Sequence, residues 1–444
     1  MAQPSKVILV FCDGTGLDGI LGLESVPPES LAKSVTNVLR LSRTVAQYRA
    51  AQGAVPRIPQ IVYYQPGLGS QAGFDPDSGM VSKLLSGDLG EKYNQALGVF
   101  VASKIREAYT FIAQNYVAGD LICLFGFSRG SYTARKVAGI IDRIGILSGK
   151  DLYSFSEKLL NPAYRTPHPE VRVKFVGVWD TVGSVRTATG AILDAFSISD
   201  KTLPPNVDNA YHAVALQENR SNFLPTLWDE LKAPNTRQVL EQVWFLGDHG
   251  DVGGGHQNVD LSDISLMWMA EKLRKFVDLD DTKLNYYVDR RRAAGWGNSQ
   301  PFNAFLGLPR SIRMPLFTTE KRDELWNARK DVFVHASCDK AADPISRGYQ
   351  VLRPVKDLPG FKTRKRAGFG GLEKKLSDST RWAAANLDPK LVRQPDTTQD
   401  ATAISFDETK RAGKDILSGD ILGGGMRLAG GAIGTGFNFL GEMF

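Results

Sequence analysis

The chain has 444 residues, 42% hydrophobic and 23% charged, an ordinary globular balance that excludes disorder as the default state and supplies a large core. The 54 basic and 48 acidic residues leave a formal charge of +6; so mild an excess is a matter of solubility, and no nucleic-acid site is read from it. Cys12, Cys123 and Cys338 are odd in number and lack pairing or zinc spacing, which excludes a disulfide scaffold and points to a reducing compartment.

In chain order, Val7–Phe11 reads as a buried strand, too short for a signal-peptide core, so the expected location is cytoplasmic or one reached without a classical secretion signal. Ser34–Ala51 has helical periodicity and Ile61–Tyr64 reads as a second strand. Val101, Ile105, Ala108, Ile112 and Tyr116 fall on one helical face, before the apolar run Leu121–Phe125 and the helix-like Ser131–Ile141. Val173–Trp179 and Gln242–Leu246 read as strands, Leu261–Phe276 as a helix and Asp331–Val334 as the last clear strand. Short apolar strands alternating with helices predict a mostly parallel sheet flanked by helices, an α/β architecture. The alternation breaks near 63–99 and 184–239, where insertions are expected to cap a pocket above the strand ends.

A catalytic domain is thus expected over 1–355 and an appendage over 356–444. The appendage carries the basic run Lys362–Arg366 and then the Gly-rich apolar Ile416–Phe444. Its uncharged part, Leu428–Gly441, is shorter than the ~20 residues of a membrane span, so the tail is at most a peripheral lipid contact.

Gly126-Phe127-Ser128-Arg129-Gly130 stands between an apolar strand and a helix. That is the setting of a G-x-S-x-G nucleophile elbow, in which the serine is exposed on a strained turn and the glycines let strand and helix pass closely. A serine needs an imidazole to take its proton and a carboxylate to fix that imidazole's tautomer. Of the five histidines, His168 lies between prolines and His212 reads as a packing or polar contact on a helix. His249 follows one strand and Asp180 ends the strand before it, the place where functional groups of open α/β sheets gather. Ser128–Asp180–His249 has the chain order serine, acid, histidine, but so does Ser128–Asp251–His335, and both triads stay open on spacing alone. Asp248, His249, Asp251 and His256 could ligate a divalent ion, but their spacing matches no metal motif. No metal or cofactor is expected. Oxyanion donors would be the Arg129 N–H and the loop after the first strand, Gly14 and Thr15.

Four ordered motifs carry a wider likeness: Phe11-Cys12-Asp13-Gly14-Thr15-Gly16, Gly126–Arg135, Val178-Trp179-Asp180-Thr181-Val182-Gly183, and Trp244-Phe245 through His249–Gly255. Together they resemble the catalytic domain of the type VI secretion phospholipase effector family, over roughly Lys6 to Pro354. The resemblance implies an α/β-hydrolase fold and the triad Ser128, Asp180 and His249, leaving Asp251 and His335 as neighbours of the site. The function expected is a serine esterase on a small-molecule or lipid ester, plausible for phospholipid acyl groups. The alternative is a non-catalytic hydrolase-fold binding or interaction protein, against which the intact serine, acid and histidine argue.

Overall fold

The computed structural model describes residues 4–14, 35–67, 89–164, 171–183, 198–303, 322–344 and 352–382, apart from 52, 54–55, 162, 221–222, 233–236, 257, 290–291, 293 and 353, and for 89–100 the backbone alone. Thr15, His168, most of the first expected cap and the Gly-rich tail lie outside the described residues.

Successive residues of a strand point to opposite faces, and β1 (Val7–Cys12) shows why it is apolar throughout. Val7, Leu9 and Phe11 enter one buried cluster and Ile8, Val10 and Cys12 another, so both faces of the sheet are covered, as parallel sheets require. β4 (Leu121–Phe127) divides likewise, with Cys123, Phe125 and Phe127 on the first face and Ile122 and Leu124 on the second. Phe11 stacks on Phe125 with ring centroids 4.3 Å apart.

Eight strands form one sheet in the order β2-β3-β1-β4-β5-β6-β7-β8. The others are β2 (Tyr48–Arg49), β3 (Ile58–Gln65), β5 (Val173–Trp179), β6 (Asn209–Ala215), β7 (Val239–Phe245) and β8 (Phe333–Val334). Only β2, on the edge, is antiparallel to its neighbour. α1 (Asn37–Thr44) and α2 (Asp260–Leu273) cover the first face. α3 (Leu89–Asn115) and α4 (Arg129–Ile144) cover the second. The chain leaves β1 outward to β3 and returns to β4 on β1's other side, which makes the carboxyl ends of β1 and β4 a topological switch point.

Three expectations change. Ser34–Ala51 is not one helix: α1 stops at Thr44 and the chain turns into the edge strand β2. The stretch 184–239 is not solely a cap, because β6 lies within it, buried along its length between β5 and β7. Its sequence hides this, since Asn209, His212 and three alanines replace the usual β-branched residues; the polar ones are satisfied, Asn209 Nδ2 donating to the Lys174 carbonyl at 2.9 Å. The packed body also runs past residue 355, for Val355, Leu358, Phe361, Leu372 and Leu376 join the first cluster. Among the described residues no helix is long and apolar enough to cross a membrane.

Candidate active site

Ser128 caps α4 with φ 57° and ψ −123°. The turn is tight enough that a Cβ on Gly126 would stand 2.3 Å from the Gly130 carbonyl oxygen, and one on Gly130 2.1 Å from that of Cys12. The Trp179 carbonyl of β5 accepts from Ser128 N–H at 3.1 Å and from Ser131 Oγ at 2.8 Å. The elbow is thereby pinned to the strand that delivers Asp180.

Asp180 has φ 38°, and it and Ser128 are the only non-glycine residues at positive φ among the described residues. Such backbone persists where its surroundings over-determine it, and it clusters at functional sites. Asp180 N–H donates to the Ala213 carbonyl of β6 at 2.7 Å. The carboxylate is fully buried. Its Oδ1 accepts from Ala215 N–H at 2.9 Å and from one nitrogen of Arg322 at 2.6 Å; its Oδ2 accepts from the other Arg322 nitrogen at 2.9 Å and bonds His249 Nδ1 at 2.6 Å. Burial alone would push this carboxyl up, but the Arg322 guanidinium and the His249 ring outweigh it and hold it well below the usual carboxylate range.

His249 opens the short helix α5 (His249–Gly253). Asp248 caps it, its side chain taking the Asp251 N–H while the Asp251 carboxylate takes the Asp248 N–H. The ring lies between Phe127, 4.4 Å between centroids, and Phe223, edge-on at 4.9 Å. Its backbone N–H donates to Glu218 Oε2 at 3.3 Å, and Glu218 pairs with Arg220 at 2.9 Å. Because ionised Asp180 can only accept, Nδ1 carries the proton and Nε2 presents a lone pair in the neutral ring. Neither His249 Nε2 nor Ser128 Oγ has a hydrogen-bond partner among the described residues, although both atoms are buried.

The structure therefore brings Ser128, Asp180 and His249 to one end of the sheet and binds the other acid and histidine to different partners. His335 Nε2 bonds Glu373 Oε1 at 2.7 Å and its Nδ1 bonds Ser337 Oγ at 2.8 Å, while Asp251 is held in the α5 cap and accepts from Phe302 N–H at 2.8 Å. His212 lies on β6, not a helix; its Nε2 accepts from Thr181 N–H at 3.1 Å, and burial, with Arg135 nearby, pushes its pKa down to about 3. Gly14 N–H, expected to face an oxyanion, is turned to Asp13 Oδ1 at 2.7 Å. Arg129 begins α4, whose first N–H groups have no intrahelical acceptor. Burial pushes the Cys12, Cys123 and Cys338 thiols up to about 12, so none is a thiolate nucleophile at neutral pH.

Asp248, Asp251 and His256 have ligating atoms within 4.8 Å of one another, enough to offer a divalent ion three donors. In the helix cap, His256 Nε2 already bonds Asp248 Oδ1 at 2.9 Å.

Sequence reasoning missed Arg322, Glu218 and Phe223. Arg322 precedes the helix α6 (Asp323–Ala328) and lies 142 residues from Asp180; a buried carboxylate needs a cation, but nothing in a single sequence says which arginine supplies it.

A mostly parallel sheet with a serine elbow on a central strand, at the switch point, defines an α/β-hydrolase fold. The chain belongs to the family described as T6SS phospholipase effector Tle1-like, catalytic domain, whose model matches residues 6–166 and 158–272. It is 27% identical over 245 residues to the uncharacterized protein YEL023C of Saccharomyces cerevisiae, a match covering 50% of this chain and 32% of that protein. The matched region thus spans about a third of that relative's length. Among solved structures it is similar to the Tle1 effector bound to the VgrG spike from the type 6 secretion system, at 18% identity and a TM-score of 0.32, covering 58% of this chain and 52% of that one. It is also similar to an uncharacterized protein from Pseudomonas aeruginosa, at 18% identity and a TM-score of 0.34, covering 63% and 47%.

Proposed function

We propose that the protein is a serine esterase acting on carboxylic esters, with acyl esters of lipids or phospholipids as its substrate class. The observation that carries the reading is the bond of 2.6 Å between His249 Nδ1 and Asp180, together with two buried atoms that have no partner among the described residues, His249 Nε2 and Ser128 Oγ. Buried polar atoms normally find partners, and these two are the base and nucleophile a substrate would engage. Apo hydrolases often tighten that contact only when substrate is bound.

His249 Nε2 takes the Ser128 proton as Oγ attacks the ester carbonyl, and the oxyanion formed is met by the Arg129 N–H at the start of α4. Collapse breaks the ester C–O bond, the alcohol leaves with the proton from Nε2, and the acyl group stays on Ser128. A water then attacks the acyl carbon, giving one proton to Nε2; the acid departs and Ser128 recovers that proton. Membership of a phospholipase effector family supports the lipid class, and the apolar tail of the sequence supports contact with a lipid surface.

The test measures hydrolysis of a short p-nitrophenyl ester and release of fatty acid from phospholipid vesicles. Wild type should turn over both and Ser128→Ala neither. Turnover of the short ester alone would remove the lipid class; no turnover of either would overturn the reading.

A further inference from the structure

We propose that Arg322 is a positioning residue of this reaction: its guanidinium, forked over both oxygens of Asp180 and tied to backbone carbonyls of two other segments, fixes the direction and charge of the carboxylate that orients His249. The inference rests on the serine-triad reading of the site. Arg322 lies beyond the residues the family model matches, so membership assigns it no role.

A carboxylate has about four acceptor positions, and all four of Asp180 are filled, two by Arg322, one by Ala215 N–H and one by His249 Nδ1. The acid cannot rotate without breaking a charge-assisted bond. Arg322 is itself fixed, donating to the Ala215 carbonyl at 2.6 Å and to that of Phe223. Its side chain and that of Asp180 are 2% and 0% exposed, so the pair is shielded from solvent and screening is weak. Phe223 also supplies the ring edge against His249, so one guanidinium ties together the acid and a wall of the base.

The charge has a kinetic consequence. With the base neutral, Asp180 and Arg322 balance; when His249 takes a proton, the trio carries a net positive charge. Arg322 therefore opposes the positive charge that proton transfer places on the Asp180–His249 pair, and its removal should be read in the pH dependence of the reaction. The other ionisable groups facing the pair do not replace it. His212 on β6 is held neutral by burial, Glu218 after β6 is paired with Arg220, Asp248 bonds His256, Asp251 accepts from the Asp248 and Phe302 N–H groups, and Asp13 after β1 accepts from Thr36 and Tyr64.

The test is kcat/KM for a soluble ester across about pH 5–9 for wild type, Arg322→Met and Arg322→Lys, with Ser128→Ala and His249→Ala in the same panel and melting curves for each. Arg322→Met should shift the acidic limb to higher pH by about 1–3 units. Arg322→Lys, which keeps the charge but not the fork, should leave the limb near wild type with kcat lowered about tenfold or more. A folded Arg322→Met with the wild-type limb overturns the proposal. If Arg322→Met does not fold, a folded Arg322→Lys with full kcat overturns it, and one that fails to fold as well shows a purely structural role, which also overturns it. Activity retained in Ser128→Ala or His249→Ala would instead mark failure of the triad reading itself.

Discussion

His249 Nδ1 lies 2.6 Å from Asp180 Oδ2, although the two residues come from the ends of β5 and β7, with β6 between them. Neighbouring strands are about 4.8 Å apart, so the acid must reach over the end of β6. It does so on two bonds to that strand, from its own N–H to the Ala213 carbonyl and from Ala215 N–H to its Oδ1.

This geometry separates the two histidines that end strands. His249→Ala should lower kcat by about 10⁴–10⁶, whereas His335→Ala should leave turnover nearly intact and cost about 1–3 kcal/mol of stability by stranding Glu373. Steady-state kinetics and denaturant melts on both variants check this; an inactive, stable His335→Ala beside an active His249→Ala would reinstate the triad with Asp251.

At Gly130 the close approach is to backbone, which cannot swing aside. A methyl there would stand 2.1 Å from the Cys12 carbonyl oxygen, so Gly130→Ala should cost about 3 kcal/mol, the upper end for overpacking, and slow ester turnover by moving the elbow. Urea unfolding measures the first effect; an unchanged midpoint would contradict the contact.

Asp251 is pushed up to about 7 by burial and then by the charge of Asp248. A carboxyl raised in the folded state contributes stability that is full below its unfolded value near 4 and is lost as pH rises through about 7. Asp251→Asn keeps an acceptor for the Asp248 and Phe302 N–H groups but has no proton to lose. Its melting temperature should therefore gain on wild type between pH 4 and pH 8, while its ester turnover stays high; a gap that does not widen with pH would refute the assignment.

Much of this was legible in the sequence where a local pattern is itself the physical cause. The elbow shows because strand, glycines and helix are contiguous; β1 and β4 show because burial on both faces demands unbroken apolar runs, and β5 and β7 because their buried carboxyl-terminal halves are apolar. β6 was hidden because its polar residues are satisfied by neighbours distant in sequence, His212 by Thr181 and Gln242. Arg322 was hidden for the same reason: its partner is fixed by the fold, and an arginine before Asp323-Glu324 reads as an ordinary helix start.

The central claim, that Ser128 is the nucleophile of this site, is tested most directly by a fluorophosphonate probe and peptide mass spectrometry. The adduct should map to Ser128 at one probe per chain, fall sharply in His249→Ala and vanish in Ser128→Ala. Labelling of Ser128→Ala at the wild-type stoichiometry, or an adduct on another residue of the wild-type protein, would contradict it.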